Sequence, residues 1–229
     1  MFALFNKKKN GYNIKGENNR IIIVNENGIS EDLHHDMIIT GLTLEILGSN
    51  NIIKIHKPFS FFNSYFKISG SSSNTEIIIN SNSRLMLQIS AWGGDGQKVY
   101  IGKNVQMTGL GVISLCDQGA KVEIMDDCLI AAGLSIWAGD GHTLYDIKTN
   151  QAINLAKEKP VKIGNHCWIC SHCTFLKGAS IADNCVIGTR ALVTKKFEKE
   201  NCVIAGNPAS YVRYNINWDK CRAWQYKDK

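Results

Sequence analysis

From Ile163 onward the sequence repeats every six residues: IGNHCW, ICSHCT, FLKGAS, IADNCV, IGTRAL, VTKKFE. Ile163, Ile169, Phe175, Ile181, Ile187 and Val193 share one position, and all six are large and apolar. Four residues after each stand Cys167, Cys173, Ala179, Cys185, Ala191 and Phe197, small in five cases of six. A period of six matches neither the 3.6-residue turn of a helix nor an alternating strand that runs on indefinitely. It matches a chain that turns a corner every six residues. Three such sides close a triangular coil, and successive coils stack as parallel strands about 4.8 Å apart. The large residue then points into the prism, and the small one sits where the coil has little room. Asn, Asp and Gly near the hexad ends suit the corners.

The same register recurs upstream from Ile101, Met107, Ile124, Ile130 and Ile136, with a one-residue slip of phase between Ile113 and Ile124. Further upstream, IIIV at 21–24, LTLEIL at 42–47, NIIKIH at 51–56, YFKIS at 65–69 and TEIII at 75–79 read as short strands separated by Asn, Gly and Ser. The expected organisation is all-β: a parallel β-helix, with wider, irregular coils over 1–98 and regular hexads over 99–198. A tail over 199–229 completes the chain. No hexad can be drawn over 140–160, so this stretch is expected to leave the prism as a loop, and loops of that length inside a compact domain are usually functional. The tail from Asn215, NINWDKCRAWQYK, is compatible with a short helix packed across the solenoid end.

Composition narrows the class of molecule. Hydrophobic residues at 44% and charged residues at 20% support a folded chain. No apolar run approaches the roughly 20 residues of a membrane span, and the apolar start MFALF is short for a signal peptide, so a cytoplasmic protein is expected. The net charge of +6, with Lys195, Lys196, Lys199, Arg213, Lys220 and Arg222 towards the carboxyl terminus, suits cofactor phosphates, an acidic glycan or nucleic acid. Charge alone does not choose among them.

Pro160 to Arg213 resembles the hexapeptide-repeat acyltransferases, in particular the sugar and polysaccharide O-acetyltransferases. The resembling elements are Pro160-Val161, Ile163-Gly164 before Trp168-Ile169, Val186 to Gly188, Val193-Thr194-Lys195 and Ala205-Gly206-Asn207-Pro208-Ala209. The sequence departs from the family pattern at Cys170, where glycine is usual, at Lys177, where proline is usual, and at Ser210, where a basic residue is frequent. The resemblance implies a left-handed coil, a homotrimer with active sites between subunits, and acetyl-CoA as donor to a sugar or polysaccharide hydroxyl. No metal, nucleic acid or membrane span is implied. The family's general base falls on His142; its CoA contacts fall on Ser171, Thr189, Thr194, Lys195 and Arg213.

These residue types suit the chemistry. An alcohol attacks a thioester only as its proton leaves, and an imidazole titrating near neutral pH is a fitting base. The developing oxyanion needs a donor, for which the backbone or side chain near Ser171 is the candidate by resemblance. Asp140, Asp146 or a backbone carbonyl are alternative anchors for the imidazole. Trp168 is read either as an external packing residue or as lining for the acceptor or pantetheine groove. His34 and His35 are read as surface residues. The string HCWICSHC resembles a metal or redox motif, but Cys167, Cys173 and Cys185 follow the small position of the hexad and read as buried free thiols. A zinc site from His142, His166 and His172, as in carbonic anhydrases sharing this solenoid, does not match in spacing. The alternatives to O-acetylation are N-acetylation of an amino sugar and a catalytically inactive trimeric scaffold.

Overall fold

A computed structural model describes residues 11–34, 37–155 and 159–227. His35, and the apolar start at 1–5, lie outside the described residues. Three sheets of eight, nine and eight strands form the sides of a prism, visited in rotation along the chain. Within each sheet, equivalent strands of successive coils pair in parallel. In the first sheet Ile89, Ile113, Ile136, Phe175 and Val193 form one column. In the second, Ile79, Ile101, Ile124, Ile163, Ile181 and Phe197 do the same. The third stacks Ile130, Ile169, Ile187 and Ile204. All these columns point inward, and one continuous apolar core runs from Ile21 to Ala209 through both the irregular and the regular coils.

The hexad's local chemistry is visible at each corner. The fourth hexad residue takes a left-handed backbone conformation, at His166 (φ 49), His172 (φ 60), Gly178 (φ 79), Asn184 (φ 57) and Arg190 (φ 61). The fifth turns inward: Cys167, Cys173, Ala179 and Cys185 are fully buried, and Ala191 is nearly so. Their sulfurs lie near backbone carbonyls of the next coil, as Cys167 Sγ does to Ala182 O at 3.3 Å and Cys173 Sγ to Gly188 O at 3.2 Å. Burial, opposed in part by backbone hydrogen bonding, pushes the Cys173 thiol up to about 11. The HCWICSHC string therefore sets corner histidines beside the core cysteines Cys167 and Cys173, with Cys170 half-buried between them. Phe197, expected in the small position, instead pairs with Ile181 and takes the large inward position in the second sheet's last strand, because it follows Val193 by only four residues. There it meets the Tyr211 ring edge-on at 5.0 Å and helps to close the core's open end.

The one-residue slip of phase turns out to be a wide side. Ile113 and Ile124 are consecutive equivalent positions on the first and second sheets, so 11 residues separate them where a hexad has 6. The surplus lies at the first–second edge, in the corner between the strands Gly111–Leu115 and Lys121–Ile124. One coil later the same edge releases the excursion between Ser135–Trp137 and Val161–Ile163. Its described residues join none of the three sheets, and Ile147, Ile153 and Leu155 are largely exposed there.

The tail departs from expectation. A single 3-10 turn at Ala223–Gln225 replaces the expected helix, and it buries none of its residues. Nor does the tail cross the solenoid end. Trp218 lies along the second–third edge, its ring stacked on His166 at 4.5 Å and its indole N–H donating to the His166 carbonyl at 2.7 Å. With no apolar stripe to bury as a helix, tertiary contact overrides local propensity.

Candidate functional site

The excursion carries His142, and its root is a polar knot at the first–second edge. Gly139 passes so close to the preceding coil that a Cβ there would lie 2.7 Å from both the Cys116 sulfur and the Asp117 side chain, and Gly141 turns with φ +70. The Asp117 carboxylate accepts the backbone N–H of Asp140 at 3.2 Å and of Gly141 at 3.4 Å. On the returning limb, Asn154 reaches back with its whole amide. Its Nδ2 donates to Asp140 Oδ2 at 3.0 Å and to the His142 carbonyl at 2.8 Å, while its Oδ1 accepts the Leu144 N–H at 3.0 Å. The backbone around His142 is thus held by two side chains, Asp117 at Gly141 before it and Asn154 at its own carbonyl and at Leu144 after it.

Lys177, on the following coil, ties the knot. Its ammonium pairs with Asp140, lies 3.4 Å from Asp117 Oδ2 and donates to the Asn154 carbonyl at 3.0 Å. Burial alone would raise the Asp140 pKa, but hydrogen bonds from Lys177 and Asn154 hold it below the ordinary carboxylate value. Burial would likewise depress Lys177, and Asp140 and Asp117 instead hold it above the usual lysine range. Asp146 caps its own turn, accepting the N–H groups of Lys148 and Thr149. Both aspartates considered as imidazole anchors are therefore bonded elsewhere, and the His142 ring is exposed.

The other expected site residues divide between the edges. Thr194 and Lys195 stand at the first–second edge, two coils beyond His142, between the strands Leu192–Val193 and Lys196–Phe197. Ser171 and Thr189 occupy successive turns of the third–first edge, where the Arg190 N–H donates to the Ser171 carbonyl at 2.9 Å. Trp168 and Arg213 lie on the third sheet. Within one chain, the first sheet separates His142 from Ser171 and Thr189. Lys177, Asn154 and Asp117 were missed as site residues; Lys177 alone carried a signal, as a departure from the family pattern. Trp92, 42% exposed, was missed too: it lies 3.6 Å from a Cβ built on Gly141 and donates its indole N–H to Ser114 Oγ at 3.2 Å.

Trp168, at 39% exposure, shares its surroundings with the tail, its ring 6.1 Å from that of Trp218. Asp127 secures that tail, accepting from Lys220 Nζ at 2.6 Å and bonding His166 Nδ1 at 2.6 Å. Burial alone would raise the Asp127 pKa, but Lys220 and His166 hold it below the ordinary 3.8. A lowered folded value means that its contribution is present above that ordinary value and lost as pH falls through the folded one. The Trp218 indole N–H resonance should therefore keep its hydrogen-bonded shift as neutral solution is acidified, and lose it only in the acid range below the ordinary value. Asp127→Asn should weaken the tail contact already at neutral pH.

A three-sided parallel coil that expels a histidine-bearing loop from one edge defines a class, the hexapeptide-repeat transferases. The model of the bacterial transferase hexapeptide (six repeats) family matches residues 160–195. The polysialic acid O-acetyltransferase of Neisseria meningitidis is 31% identical over 208 residues, 85% of this chain and 88% of that protein. The galactoside O-acetyltransferase of Escherichia coli K12 is 32% identical over 133 residues, 58% of this chain and 61% of that enzyme's length. Among solved structures, the polySia-specific acetyltransferase NeuO aligns over 94% of this chain and 91% of its own, with a TM-score of 0.75 and 25% identity. The chain belongs to the hexapeptide-repeat acetyltransferases.

Proposed function

We propose that this protein is an acetyl-CoA-dependent O-acetyltransferase acting on a hydroxyl of an acidic polysaccharide, with the family's left-handed coil and trimeric assembly. The observation that carries this reading is the similarity along 85% of the chain to a polysialic acid O-acetyltransferase. The net charge of +6 suits a polyanionic acceptor. In the proposed reaction the His142 imidazole takes the proton of the acceptor hydroxyl as its oxygen attacks the thioester carbonyl. A donor near Ser171 stabilises the oxyanion, and the CoA sulfur leaves with the proton that the imidazolium returns. Trp168 lines the groove; Thr189, Thr194, Lys195 and Arg213 serve the donor, Lys195 through a phosphate.

The placement of His142, Thr194 and Lys195 at one edge and of Ser171 and Thr189 at another supports assembly. A groove between two copies can pair the first–second edge of one with the third–first edge of the next, whereas an isolated chain cannot close it. Light scattering is expected to give three chains of 25.5 kDa per particle. An active monomer would contradict the reading. The activity is tested by incubating the protein with acetyl-CoA and polysialic acid, beside neutral oligosaccharides and amino sugars. The acceptor should gain acetyl mass in a form released by mild base. A base-stable product would indicate an amide, and free CoA without acetylated acceptor in any arm would leave the proposal without support.

A further inference from the structure

Lys177 stands where the family pattern has proline, and a proline there could make none of the contacts its ammonium makes. Its side chain is only 13% exposed and meets three acceptors drawn from three segments. Asp117 belongs to the preceding coil, Asp140 to the outgoing limb of the excursion and Asn154 to its returning limb. Two carboxylates brought to one corner repel each other unless a cation lies between them. The Asn154 side chain then holds the His142 carbonyl and the Leu144 N–H, and Asp117 accepts the Gly141 N–H, so Lys177 is one bonded step from the backbone on either side of the histidine.

We propose that Lys177 is a positioning residue that fixes the exposed His142 imidazole in one placement, by clamping both limbs of the excursion against the Asp117 corner. The inference rests on the reading of His142 as the base. Neither carboxylate near the loop anchors the ring, so its placement is set by the backbone beneath it. A misplacement of about 1 Å at a reacting group can cost roughly 10²-fold in rate.

The test compares the full-length wild type with Lys177→Met, Lys177→Arg and Asn154→Ala, each also in a His142→Ala background. Amide hydrogen exchange over residues 139–144 and 153–155 is measured beside kcat and the KM for acetyl-CoA. Lys177→Met should speed exchange in both limbs and lower kcat by about 10-fold or more, with KM for acetyl-CoA within about 2-fold. Lys177→Arg should restore most of both properties. Asn154→Ala, on the exposed loop, should reproduce the loss even where Lys177→Met folds poorly. In the His142→Ala background neither change should lower kcat further by more than about 2-fold, because the clamp acts through the ring. Equal losses in both backgrounds, or unchanged exchange in the two limbs, would overturn the proposal. A fully active His142→Ala would instead overturn the reading of the base, and the exchange data would still decide whether the clamp exists.

Discussion

Replacing His142 with Ala is expected to lower kcat by about 10²-fold or more while leaving the thermal unfolding curve in place. The two expectations come from different parts of the structure. His142 is exposed on the excursion, outside the inward columns, so its removal leaves no cavity in the prism. Its backbone is gripped through its carbonyl by Asn154 and through the Asp117–Lys177 knot, and none of these contacts needs the imidazole. A ring presented from a fixed backbone gives a base its placement without local reorganisation, which is where positional catalysis arises. The measurement is steady-state and single-turnover acetyl transfer to the acceptor, with the KM for acetyl-CoA expected to stay within about 2-fold. Near wild-type single-turnover rates in the variant would reject His142 as the base, and His172 would be tested next.

Phe175→Ala is expected to cost about 3–5 kcal/mol of stability, the usual range for deleting a buried phenyl ring. Phe175 is fully buried in the first sheet's column, between Ile136 below and Val193 above. Each coil has only three sides, so the space vacated is bounded by strands whose hydrogen bonding fixes their separation, and relaxation into it is restricted. The change also falls one coil beyond the excursion, where the first sheet narrows to the two-residue strands Thr174–Phe175 and Leu192–Val193. Solvent denaturation monitored by far-ultraviolet circular dichroism is the check, with a lowered midpoint expected and the slope held. A loss below about 1 kcal/mol would mean that the coil collapses onto the gap. Because stability in a solenoid is close to a sum over neighbouring coils, a lowered slope would instead reveal partial unfolding from the carboxyl-terminal end.

The hexad register was legible because each side of the narrow prism places one large residue inward at a fixed interval. Ile163, Ile169, Phe175, Ile181, Ile187 and Val193 all fill the core as their spacing implies. The same periodicity explained the cysteines, since the small inward position accepts a thiol as readily as a methyl group. The interval fails after Ile136, and the described residues between Trp137 and Val161 join none of the three sheets. His142 was singled out by a resemblance to a family, and its environment was not legible at all. Asp117, Asn154 and Lys177 are separated by tens of residues in sequence and meet only because three successive levels of one edge lie on top of each other.

The wide side between Ile113 and Ile124 was misread for a related reason. An insertion of five residues in one corner and a slip of one in the hexad count are the same string of letters, and only the pairing of Ile113 with Ile136 and of Ile124 with Ile163 separates them. The tail was misjudged more fully. Its helix-compatible composition carries no information about the edge it lies against, and the stacking of Trp218 on His166 supplies contacts that an isolated helix of that length lacks. Inward periodicity is a local property repeated at every turn, so one chain read alone determines the three-sided coil and its core. Which corners widen, where the tail lies and what grips the histidine depend on groups brought together across coils, and those contacts exist only once the coils have stacked.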